Sequence, residues 1–247
     1  MNTAIDAFLQ YWRVFTPKGA RFVHPEDAGS THLDDFELTL LPIPFIGDLC
    51  NAECVILMLN PGLDDEDSAW EKKSTFRSAL EGNLTQSFPI DAHPNFYLDP
   101  AFAQHAGAGY WAKSRRLTGR RDSQKLRSVI EAVALRDGVS EAAAQRHVAR
   151  KVAVLQLCPY HSRVLHRRAA LSSLASVTRA RSFAHALIRE KSKLLIAARS
   201  VAEWGLTGPH DTDHLVVYAP AQGASASLTV GSKGGQAMLK RLSRVNA

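Results

Sequence analysis

The run Cys54-Val55-Ile56-Leu57-Met58-Leu59 constrains the fold more than any other stretch, because it is apolar without alternation and stops at Asn60-Pro61-Gly62. Such a run reads as a strand covered on both faces, the pattern of a parallel sheet with helices on either side. Proline lacks the N–H that would continue a ladder, and glycine lets the backbone approach a ligand closely. The amide of Asn60 is thereby expected at the carboxyl end of a central strand, where open α/β sheets build their sites. Three further short Val/Leu/Ile runs, at 151–158, 193–198 and 214–219, lie between helical or turn-rich segments. Helical spacing is found at 4–16 (Ile5, Phe8, Leu9, Trp12, Phe15), and further helical patterns at 101–117, 122–136, 140–150 and 233–242. Strands alternating with helices predict βα units. The expectation is a three-layer α/β/α sandwich with a central, mainly parallel sheet of about four strands. With 247 residues the chain can bury one sizeable core, so residues 1–247 are read as a single domain.

A second apolar run, Val152 to Cys158, also stops at a proline and is followed by Tyr160-His161-Ser162. His161 fits either a surface histidine at a strand exit or a group that stabilises developing negative charge near neutral pH. A third run leads through Ala219-Pro220 into the small-residue loop Ala221-Gln222-Gly223-Ala224-Ser225-Ala226-Ser227, which fits a phosphate-touching loop or a plain surface loop. The segment between Gly82 and Pro100 is too long for a simple connection and carries Phe88, Phe96 and Tyr97, which are read as core aromatics or stacking faces. Asp64-Asp65-Glu66-Asp67 is read mainly as helix initiation, with a carboxylate that orients a water as the lesser alternative. Consecutive residues cannot all converge on one ion, so no metal site is expected there.

The net charge of +6 suits a polyanionic partner, although runs of charge are usually solvated faces. One basic group covers Lys113, Arg115, Arg116, Arg120, Arg121, Lys125 and Arg127; a second, Arg163, His166, Arg167 and Arg168, follows His161 directly. No apolar run approaches the roughly 18–20 residues of a membrane span. Met1 to Asp6 show no basic n-region and no signal-peptide core, so a cytoplasmic location is expected, with no membrane and no obligate protein partner. Cys50, Cys54 and Cys158 are too few and too poorly spaced for a disulfide framework or a cluster.

Met58-Leu59-Asn60-Pro61-Gly62 resembles the first motif of the uracil-DNA glycosylase superfamily, in the form used by its mismatch-specific and single-strand-selective branches. Met58 stands where that motif usually begins with glycine, and Ala219 stands where the second motif usually has a histidine. The resemblance implies a DNA glycosylase that flips a base out and hydrolyses its N-glycosidic bond without a cofactor. Under it, Asn60 positions the attacking water, and His161 or Gln222 stabilises the departing base. Pro61, Gly62, Gln156, Tyr160 and Ser162 contact that base, and Phe96 or Tyr97 stacks on it. Arg163, Arg167, Arg168, Ser225 and Ser227 meet the DNA backbone. Uracil-specific members carry a tyrosine at the place of Gly62, so the pocket is expected to admit 5-substituted bases. These include hypermodified cytosines of phage DNA, beside uracil or a mismatched base. A protein that keeps the fold and binds DNA without chemistry is the alternative. A small-molecule hydrolase is disfavoured, since the chain has no Gly-x-Ser-x-Gly or Walker-type motif.

Overall fold

The computed structural model describes residues 3–112, 126–164, 168–219 and 228–245. The Cys54 run forms β2 (Cys54–Met58), whose first four residues are completely buried, as expected of a strand covered on both faces. Its neighbours are β3 (Val152–Gln156) on one side and β4 (Leu194–Ala197) on the other, both parallel to it. Beyond β4 lies β6 (Leu215–Val217), again parallel. Two short antiparallel strands close the edges: β1 (Phe45–Ile46) against β3 and β5 (His210–Asp211) against β6. The sheet is therefore mixed and six-stranded, in the order β1-β3-β2-β4-β6-β5, rather than a sheet of about four strands. Each added strand is two residues long, too short for a periodicity to register, and β1 sits among prolines.

The helices divide into two packed groups. In one, α1 (Thr3–Arg13) meets α3 (Ser74–Thr85) and α8 (Ala175–Glu190); in the other, α5 (Arg127–Asp137) meets α6 (Glu141–Lys151) and α9 (Lys233–Arg241). The connection from β2 to β3 steps one way along the sheet and that from β3 to β4 steps the other. Right-handed crossovers then put α5–α6 and α8 on opposite faces. Helix α1 buries Ile5, Phe8, Leu9 and Trp12, and Phe8 stacks on Phe183 of α8 with ring centroids 4.3 Å apart. The expected helix at 101–117 is much shorter where described: α4 is Ala106–Trp111, and residues 113–117 lie outside the described part. Its Gly107 and Gly109 explain why the helix is weak.

One buried polar side chain and one glycine fix the edge beside the site. Asn83 of α3 donates to the Phe45 carbonyl (2.6 Å) and accepts from Gly47 N–H (2.9 Å), supplying the partners that a free edge would lack. Gly47 has φ +98°, and a Cβ there would sit 3.2 Å from the Ala153 backbone, so only glycine fits this turn. Among the described residues, no helix is long and apolar enough to cross a membrane.

Candidate functional site

The register sets Met58 of β2 level with Gln156 of β3, so both strands end together. Past them the two chains stay paired for two residues: Leu157 N–H donates to the Met58 carbonyl (3.0 Å) and Cys158 N–H to that of Leu59 (2.8 Å). The connections of β2 and β3 then leave in opposite directions along the sheet, which opens a crevice at their carboxyl ends. A cavity of about 350 Å³ lies there, lined by Met58, Asn60, Pro61, Gly62 and Gln156 from the strand ends. Asp64 and Asp67 follow in the loop leading into α2 (Asp67–Glu71), and Tyr97, His105, Gly107, Tyr110 and Trp111 close the far side. That volume is at the lower end of the range for small-molecule sites.

Asn60 is held in a single orientation. Its Nδ2 donates to the Pro61 carbonyl (2.8 Å), to Ser162 Oγ (2.9 Å) and, at longer range, to the Tyr160 carbonyl (3.4 Å). Carbonyl oxygens only accept, so the nitrogen must face them and the amide oxygen must face away. Asn60 Oδ1 accepts no hydrogen bond among the described residues, and the residue is half-buried at the cavity wall. Gln156 is 5 % exposed, and its Oε1 is buried with no hydrogen-bond partner. Leaving a buried acceptor unpaired costs roughly 1–3 kcal/mol, so a ligand that donates to it gains that much more than in a satisfied site.

The remaining residues singled out in the sequence separate into those at the cavity and those elsewhere. Tyr97 forms part of its wall, whereas Phe96 is turned into the core against Phe76, with ring centroids 5.7 Å apart. A Cβ on Gly107 would come within 2.3 Å of the Tyr97 ring, so the glycine is what lets α4 lie flat on that ring. Nothing lies within 4 Å of where a Gly62 Cβ would sit. His161 does not face the cavity: its Nδ1 meets the Gly62 carbonyl at 2.9 Å and its Nε2 the Leu41 carbonyl at 3.1 Å. Leu41 N–H in turn donates to Glu71 of α2 (3.0 Å), so the histidine ties the Asn-Pro-Gly turn to the loop behind it. Burial lowers the pKa of His161 and favours the neutral ring, which can donate to only one of those carbonyls. Tyr160 points the other way, donating to buried Asp27 (2.6 Å) and accepting from His24 N–H (3.1 Å).

Arg163 is exposed and paired with Asp65 rather than standing free as a phosphate contact. Arg127 is likewise committed, to Glu131 (2.8 Å) and Glu141 (2.7 Å). Arg168 opens α7 (Arg168–Ser173), but its side chain lies outside the described atoms. Also outside the described residues are Arg167, Gln222, Ser225, Ser227 and the basic residues from Lys113 to Lys125.

The pair Asp67 and His105 escapes a sequence reading because the two are far apart in the chain. Gly107 N–H donates to His105 Nδ1 (2.9 Å), which fixes that nitrogen as the acceptor and puts the ring proton on Nε2. Nε2 lies 3.4 Å from Asp67 Oδ1, and Asp64 N–H donates to Asp67 Oδ2 (2.7 Å). His105 is 3 % exposed and stacks on Phe76 (4.7 Å, 22°); burial lowers its pKa, with Asp67 acting against that shift. The available hint was the Gly-Ala-Gly spacing after His105, which weakens a helix while allowing close packing of aromatics. Among the described residues, no group of three or more His, Cys, Asp or Glu side chains could hold a metal ion. The chain matches no protein-family model, no curated protein and no solved structure.

Proposed function

We propose that this protein is a monofunctional DNA glycosylase that takes a pyrimidine out of the stack and hydrolyses its N-glycosidic bond with water. The observation that carries the reading is Asn60: its nitrogen is pinned by Ser162 and two carbonyls, while its oxygen is left open at the cavity wall. A fixed acceptor at that place can hold one water in line with the sugar carbon, and positioning of this kind supplies a large part of such a rate enhancement. Gln156 offers an amide whose buried oxygen has no partner, suited to an N–H on the edge of a flipped base. Tyr97 offers a wall on which the base can stack, and the net charge of +6 favours a phosphate backbone.

Assignment to the uracil-DNA glycosylase superfamily is part of the proposal. Its support is the order of elements: the Met58–Gly62 motif ends β2, Gln156 to Ser162 end β3, and β6 leads toward the loop at 218–228. The open space beside Gly62 supports a 5-substituted or hypermodified cytosine as substrate, with uracil or a mismatched base as the smaller alternative. His161 takes a positioning role in this scheme, because both ring nitrogens meet backbone carbonyls.

The test is to incubate the protein with single- and double-stranded DNAs carrying uracil, mismatches, 5-hydroxymethylcytosine or glucosylated hydroxymethylcytosine. Alkali-labile sites are then scored. Breaks at one class of modified base are expected. Binding of DNA with no base released from any strand would leave a binding protein without the chemistry.

A further inference from the structure

Asp67 is half-buried, with 12 % of its side chain exposed, and lines the same cavity as Asn60. It is also restrained from two sides. Asp64 N–H donates to Oδ2, and His105 Nε2, the nitrogen that carries the ring proton, lies 3.4 Å from Oδ1. That contact is long for a hydrogen bond, and catalytic contacts often tighten only when a ligand closes the site. Each carboxylate oxygen keeps a further lone pair for a group in the cavity. His105 is itself immobilised by Gly107 N–H on its other nitrogen and by the rings of Phe76, Trp70 and Tyr97. A buried ring N–H beside a carboxylate that borders a cavity fits a base with its orienting partner.

We infer that Asp67 is the general base for the water held by Asn60, and that His105 is the residue that positions it. The inference rests on the glycosylase reading above. In the step, the water oxygen bonds to the sugar C1′ and one water proton passes to the Asp67 carboxylate. The C1′–N bond breaks with its electron pair going to the base, which takes a proton from solvent as it leaves. No oxidant, reductant or further reactant is needed. Until that proton moves, the carboxylate charge also opposes the positive charge that builds on the sugar in an oxocarbenium-like transition state. The charged and titratable groups around Asp67 are Asp64 and Glu71 on its own segment, Lys73 before α3, Tyr97, His105 and His161.

The experiment measures single-turnover base release from pH 4.5 to 8.5 for the wild type, Asp67→Asn and His105→Asn, with DNA affinity and thermal unfolding measured on each. In Asp67→Asn the shape is kept and the base is lost. Release is expected to fall about 10²–10⁴-fold, with DNA affinity held. Asparagine at 105 can still accept from Gly107 N–H but offers no donor at the place of Nε2, so single-turnover release should fall while DNA affinity and thermal unfolding are held. A wild type that releases base, together with an Asp67→Asn variant within about threefold of it and an unchanged profile, overturns the inference and leaves the glycosylase reading standing. Release by His105→Asn at the wild-type rate returns that histidine to the aromatic cluster alone. A wild type that releases no base from any DNA overturns both the inference and the reading beneath it.

Discussion

Asn60 does not act alone, because its orientation is set by Ser162, which lies past the end of the neighbouring strand. Ser162→Ala removes one anchor and leaves the Pro61 and Tyr160 carbonyls, so the amide should rock rather than leave. Displacement of about 1 Å at a reacting group can cost on the order of 10²-fold, and a loss of that size in single-turnover release is expected, with melting temperature nearly unchanged. A rate within about threefold of wild type would mean that Ser162 is not what fixes the amide. Gly62 bears on specificity. A side chain at 62 would enter open space, so Gly62→Tyr should fold normally and suppress release of 5-substituted cytosines far more than release of uracil. An unchanged ratio between large and small bases would place that substituent elsewhere in the cavity. Asn60 was legible in the sequence because it directly follows an apolar run, whereas Gln156 lies inside the second run and was named only through the family resemblance; the register brings the two strand ends together. The roles expected of His161 and Tyr160 were not legible. Adjacent residues just past a strand can point into the cavity, toward the backbone or into the core, and only packing decides among these.

The same distinction separates the strands from α4. The four long apolar runs were readable as strands because burial on both faces demands unbroken hydrophobicity, whereas β1 and β5 are only two residues long and β1 depends on a partner distant in sequence, Asn83. Helix α4 is held by contact rather than by propensity: its glycine packs on Tyr97, and His105 caps its first turn. Gly107→Ala is therefore expected to destabilise the protein by about 1–3 kcal/mol, even though alanine is the better helix former. It should also push Tyr97 into the cavity and weaken binding of any ligand there. Chemical denaturation of the variant against wild type checks this, and a stabilised variant would contradict the packing described. The basic groups were readable only as composition. Whether a cation is free or paired depends on neighbours such as Asp65 and Glu141, which sequence spacing does not reveal.

At the scale of the molecule, four histidines among the described residues have pKa values lowered from 6.5, each chiefly by burial: His93, His105, His147 and His161. A group whose folded pKa is depressed binds its proton more readily in the unfolded chain. Its full contribution to stability is present above pH 6.5 and is lost as the pH falls through the folded values. The melting temperature is accordingly expected to decline as the pH falls below 6.5, beginning above the ordinary range of carboxylates. His105 and His161 both lie at the site, so the same acidification should loosen the cavity before the sheet. A melting temperature that stays level or rises over that interval would show that these rings are not held neutral. The account as a whole stands on the chemistry assigned to Asn60 in the cavity at the ends of β2 and β3. Its most direct test is single-turnover release of the free base, identified by mass, from the best substrate of the DNA panel by wild type and by Asn60→Ala at matched DNA occupancy. The account predicts free base and an abasic strand from the wild type, and loss of several orders of magnitude in Asn60→Ala with DNA affinity preserved. Release by Asn60→Ala within about tenfold of wild type, a difference of only ~1.4 kcal/mol, would contradict it.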